Sequence, residues 1–201
     1  MPTFAFAPVT CASLIAIAVV FILDWFILPS RANKRLSLRI LKIQASYGPV
    51  FNALCMNTSD VKRGQVWRLL SSALLHSGFI HIFFNAVAVV SVGPTVEREI
   101  GSLRTLAVMI ATAVFANICD IVVLKHEGGN GFSGSVFGLI AVFTVLWFQN
   151  REAMLAAVSF PARLFILIYA LACLWPDKAN YVEHGSAFIA GIGLAAVFAI
   201  L

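Results

Sequence analysis

The feature that most restricts the fold of this chain is a series of long apolar runs. Several of them are close to the length needed to cross a bilayer. A spanning helix needs about 20 mostly apolar residues, and such runs recur through the 201 residues with few charges between them. Hydrophobic residue types make up 61% of the chain and charged residues 11%, whereas roughly 25% of a globular domain is charged. The sequence therefore excludes a soluble domain and a disordered chain, and it predicts an integral, multi-pass membrane protein.

Six of the runs have the composition of transmembrane helices. Pro29, Pro94 and Pro176 directly follow three of them, and proline tends to end a helix because it lacks an N–H donor. Because all links but the first are short, we predict an all-α membrane protein: a single domain over residues 1–201 that forms a six-transmembrane-helix bundle. The expected spans are approximately residues 12–28, 75–93, 106–124, 132–148, 160–175 and 184–201.

The long first connection, residues 30–67, interleaves basic and aliphatic side chains in its first half. Such a segment is expected to lie along the lipid headgroups, with its aliphatic groups in the bilayer and its charges in water. We therefore predict an interfacial first loop. Residues 1–66 would comprise the first helix and this loop, and residues 67–201 would form a core that carries the motifs described below.

Charge and cysteine content indicate no nucleic-acid or metal partner. The net charge is +5, but the lysines and arginines fall in the links between apolar runs and do not form one patch. The four cysteines are widely spaced and include no CxxC pair. We expect no metal, no other cofactor and no nucleic acid, and the lipid bilayer is the first partner that the composition implies.

Polar residues inside the apolar runs are the candidates for function, because such groups are costly in a membrane. His81 and Asn85 are four residues apart and should share one helix face, whereas His76 should have a different bearing. Ser133 lies between glycines in Gly131-Phe132-Ser133-Gly134, which leaves its hydroxyl open to a substrate chain. His184 begins the last run, where it could meet Ser133.

A serine beside a neutral imidazole is a typical arrangement for nucleophilic catalysis, because the imidazole takes the hydroxyl proton. Attack on an amide carbonyl would create an oxyanion, which His81, Asn85 and the Ser133 backbone N–H could stabilise as donors. Each residue also has a structural explanation. Ser133 could be a small packing residue next to Gly134, His81 and Asn85 could join helices, and His184 could face water.

As a set, these residues resemble the motifs of the rhomboid family of intramembrane serine proteases. The resemblance extends from Trp67 to Gly191 and matches the family in residue type, order and spacing. It rests on Trp67-Arg68, on His76, His81 and Asn85 in HSGFIHIFFN, on Glu97 and Gly101 in VEREIGS, on GFSG around Ser133, and on His184 with Gly191 seven residues later.

The resemblance implies a fold, a reaction and a substrate class. The fold would be a six-helix bundle around a water-filled cavity, and the catalytic pair would be Ser133 and His184 without an aspartate. His81 and Asn85 would form the oxyanion hole, with supporting roles for Gly131, Gly134, Phe137 and His76. The substrates would be single-pass transmembrane proteins, cut in or near their membrane-spanning segments.

Two positions depart from the family pattern. Phe137 stands where many rhomboids have a tyrosine that stacks on the catalytic histidine, so the ring is kept but the hydroxyl is lost. Ala187 stands where many have glycine, which adds a methyl group between the fourth and sixth helices. Both changes leave the proposed catalytic groups in place.

Two alternatives to a protease, and the membrane orientation, stay open at this point. A catalytically weak rhomboid-like protein could bind transmembrane segments for quality control or trafficking, and a small transporter could use the polar residues as a path. Most of the basic residues lie in links that the positive-inside rule assigns to the cytosol, on the side of Ser133 and His184. The family resemblance implies the opposite orientation.

Overall fold

The computed structural model describes residues 7–28, 48–124, 129–173 and 178–200. Within these ranges the regular structure is helical, apart from one isolated bridge between Met56 and Gly129. The predicted all-α class is therefore confirmed. The helices are α1 (Pro8–Ile22), α2 (Pro49–Leu54), α3 (Thr58–Lys62), α4 (Arg68–Ser71), α5 (Phe79–Ile100), α6 (Ser102–Cys119), α7 (Ser133–Gln149), α8 (Arg151–Ala157), α9 (Phe160–Cys173) and α10 (Lys178–Ile200).

Four helical segments in the described ranges are long and apolar enough to cross a membrane: Pro8–Ile27, Phe79–Ile100, Ser102–Leu124 and Tyr181–Phe198. Together α8 and α9 would supply a fifth span, although they are bent by 101° at the break between them. The helix α7 is apolar but only 17 residues long. The multi-pass membrane architecture is confirmed, and the count of six spans stays a prediction.

Nearly half of the predicted interfacial loop falls on residues that the structure does not describe. Residues 29–47, which hold its basic and aliphatic first half, lie outside the described residues. The second half forms α2 and α3, which precede α4. The Arg68 side chain joins these elements, because its Nη1 donates to the Asn52 and Cys55 carbonyl oxygens at 2.8 Å each. The interfacial location of this loop and the division at residue 67 stay predictions.

The second span differs from its predicted limits. It was expected to begin near Leu75 and to end before Pro94, but α5 begins at Phe79 and continues through Pro94 to Ile100. The residue before Pro94 is Gly93, which has no Cβ to clash with the proline ring. Gly93 also lies against Thr10 of α1, where a Cβ would come within 2.8 Å of the threonine methyl group. Gly93 therefore allows α5 to continue through Pro94 and also to pack closely on α1.

The central helix of the bundle is α7, which is buried along its whole first half, Ser133–Phe143. It packs against α6 and α10 through small residues. A Cβ at Gly138 would overlap the Thr112 side chain of α6, and a Cβ at Gly191 of α10 would lie 2.7 Å from Ala141 of α7. Small residues allow helix backbones to approach closely inside membranes, so these glycines place α6 and α10 directly on α7.

The first helix is attached to the bundle by a buried carboxylate. Glu97 of α5 accepts hydrogen bonds from the backbone N–H groups of Val9 and Thr10, from the Thr10 hydroxyl and from the Ser102 hydroxyl, all at 2.7–2.8 Å. The first N–H groups of a helix have no partner within the helix, and a carboxylate is favoured at the positive end of the helix dipole. Glu97 therefore caps α1 from a neighbouring helix.

Candidate active site

Ser133 is the first residue of α7 and is buried, with 5% of its surface exposed. The turn before it requires glycine, because Gly131 has a φ of +133°. The Gly131 N–H donates to the Ser72 carbonyl at 3.1 Å, which attaches this turn to the end of α4. Behind Ser133, Gly134 allows close contact with α6, since a Cβ there would lie 3.2 Å from the Ala113 Cα.

His81 of α5 lies directly over this turn. An ideal Cβ at Gly131 would be 2.7 Å from His81 Nε2 and 3.7 Å from Ser133 Oγ, so both side chains face the open side of Gly131. On the other side of the ring, the Ser77 N–H and the Ser77 hydroxyl lie 3.4 Å and 3.0 Å from Nδ1. A backbone N–H can only donate, so this hydrogen-bond network assigns Nδ1 as the acceptor and places the ring proton on Nε2.

His184 of α10 is held by two contacts that do not involve Ser133. Its ring is stacked on Phe137, with 4.6 Å between centroids and 10° between planes. Its Nδ1 lies 3.2 Å from the Cys173 carbonyl oxygen, which can only accept. A proton on Nδ1 leaves Nε2 as the basic nitrogen of the neutral ring. His184 is also close enough to His81 for an electrostatic interaction between the rings.

His76 is closer to the site than its sequence position suggested. It precedes α5 and does not share the helical bearing of His81, yet the two rings meet edge to face with 5.0 Å between centroids. Trp25 donates through Nε1 to the His76 carbonyl oxygen at 3.2 Å, which anchors this loop to the end of the first span. Burial, together with the adjacent His81, lowers the pKa of His76 to about 3, so the ring packs as a neutral group.

Asn85 is buried one turn after His81 and is held at both ends of its amide. Its Nδ2 donates to the His81 carbonyl oxygen at 2.9 Å, and its Oδ1 accepts from the Tyr169 hydroxyl at 3.0 Å. Tyr169 also contacts Phe137, with 5.9 Å between ring centroids. Contacts thus connect Asn85 to Tyr169 of α9, and Tyr169 to Phe137, the ring on which His184 is stacked.

No hydrogen bond joins Ser133 to His184, although the structure describes both residues. The side chain of Glu183, the residue directly before His184, is close enough to Ser133 for an interaction between the two. The Glu183 carboxylate also interacts electrostatically with Asp120, at the end of α6. The arrangement therefore places a serine, two histidines and a carboxylate together at one end of α7.

A sequence model of the Rhomboid domain matches residues 63–200, which is more than half of the chain and includes His81, Asn85, Ser133 and His184. The chain belongs to the rhomboid family. The resemblance inferred from its motifs is therefore confirmed. The prediction of a multi-pass membrane protein is confirmed as well.

Curated relatives of this rhomboid include proteins named as proteases and a protein named as inactive. It is 36% identical over 128 residues to the putative rhomboid protease YdcA of Bacillus subtilis, covering 62% of this chain and 63% of the relative. It is 33% identical over 110 residues to the rhomboid protease GluP of the same organism, covering 55% and 22%. It is 25% identical over 103 residues to the Inactive RHOMBOID-like protein 8 of Arabidopsis thaliana, covering 51% and 29%.

The chain thus spans less than two thirds of the length of each of these relatives, and membership of the family does not decide whether this rhomboid is active. Whether it is a protease has to be argued from its own residues.

The described ranges contain no group of three or more His, Cys, Asp or Glu side chains that could hold a metal ion.

The sequence singled out neither Tyr169 nor Glu183 for this rhomboid's site. Tyr169 lies in the middle of an apolar run, where a hydroxyl needs a partner, and that was the available signal. Glu183 was noted only as the neighbour of His184. Its side chain direction depends on how α10 packs on α7, so its position beside Ser133 needed the tertiary structure.

Proposed function

We propose that this rhomboid is an intramembrane serine endopeptidase in which Ser133 is the nucleophile and His184 is the general base. The observation that carries the proposal is the stacking of His184 on Phe137, which is four residues after Ser133 on α7. Residues four apart project from one helix face. The base is therefore fixed over the face that carries the nucleophile.

The proposed reaction is acyl transfer through a covalent intermediate. His184 Nε2 takes the Ser133 proton while Oγ forms a bond to the scissile carbonyl carbon, whose oxygen becomes an oxyanion. The C–N bond then breaks, and the His184 imidazolium returns the proton to the leaving amine. In the second half, a water molecule attacks the acyl group while His184 takes a proton from that water, and His184 then donates this proton to Ser133 Oγ as the bond between Oγ and the acyl carbon breaks and the acid product leaves.

The oxyanion would be stabilised by donors that the site already holds in place. The His81 tautomer assigned from Ser77 leaves its Nε2–H pointing to the space beside Gly131 and Ser133. Asn85 uses one of its two N–H groups on the His81 carbonyl oxygen, which leaves the second for the substrate. Preorganised donors of this kind are typically the largest contribution to such a reaction.

The proposed substrates are single-pass membrane proteins. A peptide carbonyl in a transmembrane helix is hydrogen-bonded within that helix, so the substrate must unwind locally before Ser133 can attack it. Glycine or proline near the scissile bond should therefore favour cleavage.

A second candidate is a catalytically weak rhomboid that binds transmembrane segments for quality control or trafficking. The observation that favours it is the absence of a hydrogen bond between Ser133 and His184, both of which are described; the hydrogen bond of the His184 ring is to the Cys173 carbonyl oxygen. A binding protein would retain affinity for transmembrane segments when Ser133 or His184 is replaced.

The test uses purified protein in liposomes with a fluorescently labelled single-pass substrate, together with a fluorophosphonate that labels activated serines. Wild type should cleave the substrate and be labelled, and Ser133→Ala and His184→Ala should be inert in both assays. Ser135→Ala is the matched control, because Ser135 is buried two residues later and its hydroxyl donates to the Met109 carbonyl at 2.8 Å. Cleavage by Ser133→Ala at the wild-type rate would refute the protease proposal, and substrate capture without cleavage by any variant would favour the binding protein.

A further inference from the structure

The Asn85 amide, proposed above as an oxyanion donor, needs more than one contact to point in a single direction. Its Nδ2 donates to the His81 carbonyl oxygen at 2.9 Å, and this bond takes one of the two N–H groups. The bond alone leaves the plane of the amide free to turn, because the Cβ–Cγ torsion of asparagine has a broad energy minimum. The direction of the second N–H group therefore depends on what holds Oδ1.

Tyr169 of α9 supplies that second contact. Its hydroxyl donates to Asn85 Oδ1 at 3.0 Å, and both side chains are buried, with 4% of Tyr169 and 1% of Asn85 exposed. Nδ2 and Oδ1 lie on opposite sides of the Cβ–Cγ bond, so a partner on each of them fixes its torsion. His81 and Tyr169 together thus give the second N–H group of Nδ2 one direction.

The Tyr169 ring is held by aromatic contacts that do not involve Asn85. It stacks on Phe165, one turn earlier on α9, with 6.2 Å between centroids, and it contacts Phe137 of α7 at 5.9 Å. Phe165 in turn stacks on Phe84 of α5, with 5.9 Å between centroids and 12° between planes. The place of the hydroxyl is therefore set by α5, α7 and α9. A change from tyrosine to phenylalanine should keep these contacts and remove only the donor.

The hydrogen bond to Oδ1 also makes the amide a stronger donor. Hydrogen bonds in a chain polarise one another, by about 10 to 30% per bond in a condensed phase. The Tyr169 hydroxyl draws electron density toward Oδ1, which leaves the Asn85 N–H groups more positive. The charge on a scissile carbonyl oxygen develops in the transition state, so a better aimed and stronger donor acts on turnover and not on substrate binding.

The same hydrogen bond has a purely structural explanation, because a buried amide oxygen needs a partner in any protein. The two explanations differ in one respect. If Tyr169 only stabilises the bundle, its hydroxyl should have the same effect whether or not an amide is present at position 85. If Tyr169 acts through the amide, its effect on the reaction should vanish when the amide is removed.

We infer that Tyr169 is a positioning residue of the proposed oxyanion hole, whose hydroxyl orients the Asn85 amide so that its second N–H group faces the scissile carbonyl oxygen. This inference rests on the proposed function, because an oxyanion forms only if a carbonyl is attacked. Tyr169 acts through Asn85 and needs no contact with the substrate.

The test is a double-mutant cycle in liposomes with a labelled single-pass substrate. Tyr169→Phe should lower kcat about three- to tenfold, the effect of one neutral hydrogen bond, and leave KM unchanged. Asn85→Ala should lower kcat by about 10² to 10³. The double variant should have the same kcat as Asn85→Ala, because no amide is left to orient. All rates refer to folded protein isolated by size-exclusion chromatography, so aggregated material does not contribute.

Tyr181→Phe is the matched control, because it removes the same hydroxyl from a tyrosine of α10 that is 49% exposed. It should keep the wild-type kcat and KM. Thermal denaturation of each variant measures stability separately, and a lower midpoint for Tyr169→Phe does not by itself change kcat of the folded protein.

The outcomes separate this inference from the proposed function. If wild type cleaves and Tyr169→Phe has an equal kcat, or only a higher KM, the positioning role is refuted and the protease proposal stands. An equal fold-loss from Tyr169→Phe with and without the Asn85 amide would also refute it and leave a structural role. If wild type and all folded variants neither cleave nor react with the fluorophosphonate, the protease proposal fails and the positioning role fails with it.

Discussion

The His184 ring lies flat against Phe137, with 10° between the ring planes. Because Phe137 is four residues after Ser133 on the buried face of α7, this one contact relates α10 to the helix that carries the proposed nucleophile. The proposed general base, His184, is oriented by an aromatic ring and a backbone carbonyl, with no carboxylate on its Nδ1.

Replacement of Phe137 by leucine should reduce turnover without unfolding the bundle. Leucine fills similar space but cannot stack on an imidazole, and aromatic contacts contribute about 0.5 to 1.5 kcal/mol beyond their buried area. We expect kcat for a transmembrane substrate to fall about three- to tenfold. Phe137→Tyr keeps the ring and should stay close to wild type; an equal loss in both variants would show that stacking is not the cause.

Replacement of His81 by alanine should remove an oxyanion donor. Losing one such donor costs about 10² to 10³ in kcat in a soluble hydrolase, and KM should change little. Ser77→Ala should have a smaller effect of a few-fold, because the Ser77 N–H remains to hold Nδ1. Steady-state kinetics in liposomes measure both, and a larger loss in Ser77→Ala than in His81→Ala would contradict the assigned role.

Replacement of Gly131 by alanine should abolish labelling of Ser133. The position has a φ of +133°, and an added Cβ would lie 2.7 Å from the His81 ring, which must move away from the site. Gly64→Ala is the control, because Gly64 also has a positive φ, +99°, but a Cβ there would meet nothing within 4 Å. The control should lose about 1 kcal/mol of stability from backbone strain and keep its labelling rate. Loss of labelling in both variants would attribute the effect to strain alone.

Replacement of Glu97 by alanine should destabilise the protein more than any change at the exposed acidic positions. It leaves the buried Thr10 N–H and the partly buried Val9 N–H without their acceptor, at about 1 to 3 kcal/mol for a fully buried group. Glu99→Ala is the control, since Glu99 pairs with Arg98 on the surface and such pairs contribute at most about 1 kcal/mol. Thermal denaturation in detergent should show a much lower midpoint for Glu97→Ala. Equal midpoints would show that α1 does not depend on this cap.

The family and the all-helical class could be predicted from the sequence, because apolar run length and motif spacing are local properties of the chain. The roles assigned to Ser133, His184, His81 and Asn85 stay predictions. Helix limits were less predictable. The end expected at Pro94 was wrong because Gly93 removes the usual clash and Thr10 packs against it, and Thr10 is far away in the chain.

The tertiary structure alone decided what each site residue contacts. It placed the His76 ring against His81, joined Asn85 to Tyr169, and stacked the His184 ring on Phe137. Hydropathy indicates that a segment enters the membrane, but it is the packing of small residues, as at Gly138 and Gly191, that sets which helix faces meet. Side-chain contacts depend on that packing, and for this reason the partners of Asn85 and His184 could not be predicted from residue types and spacing.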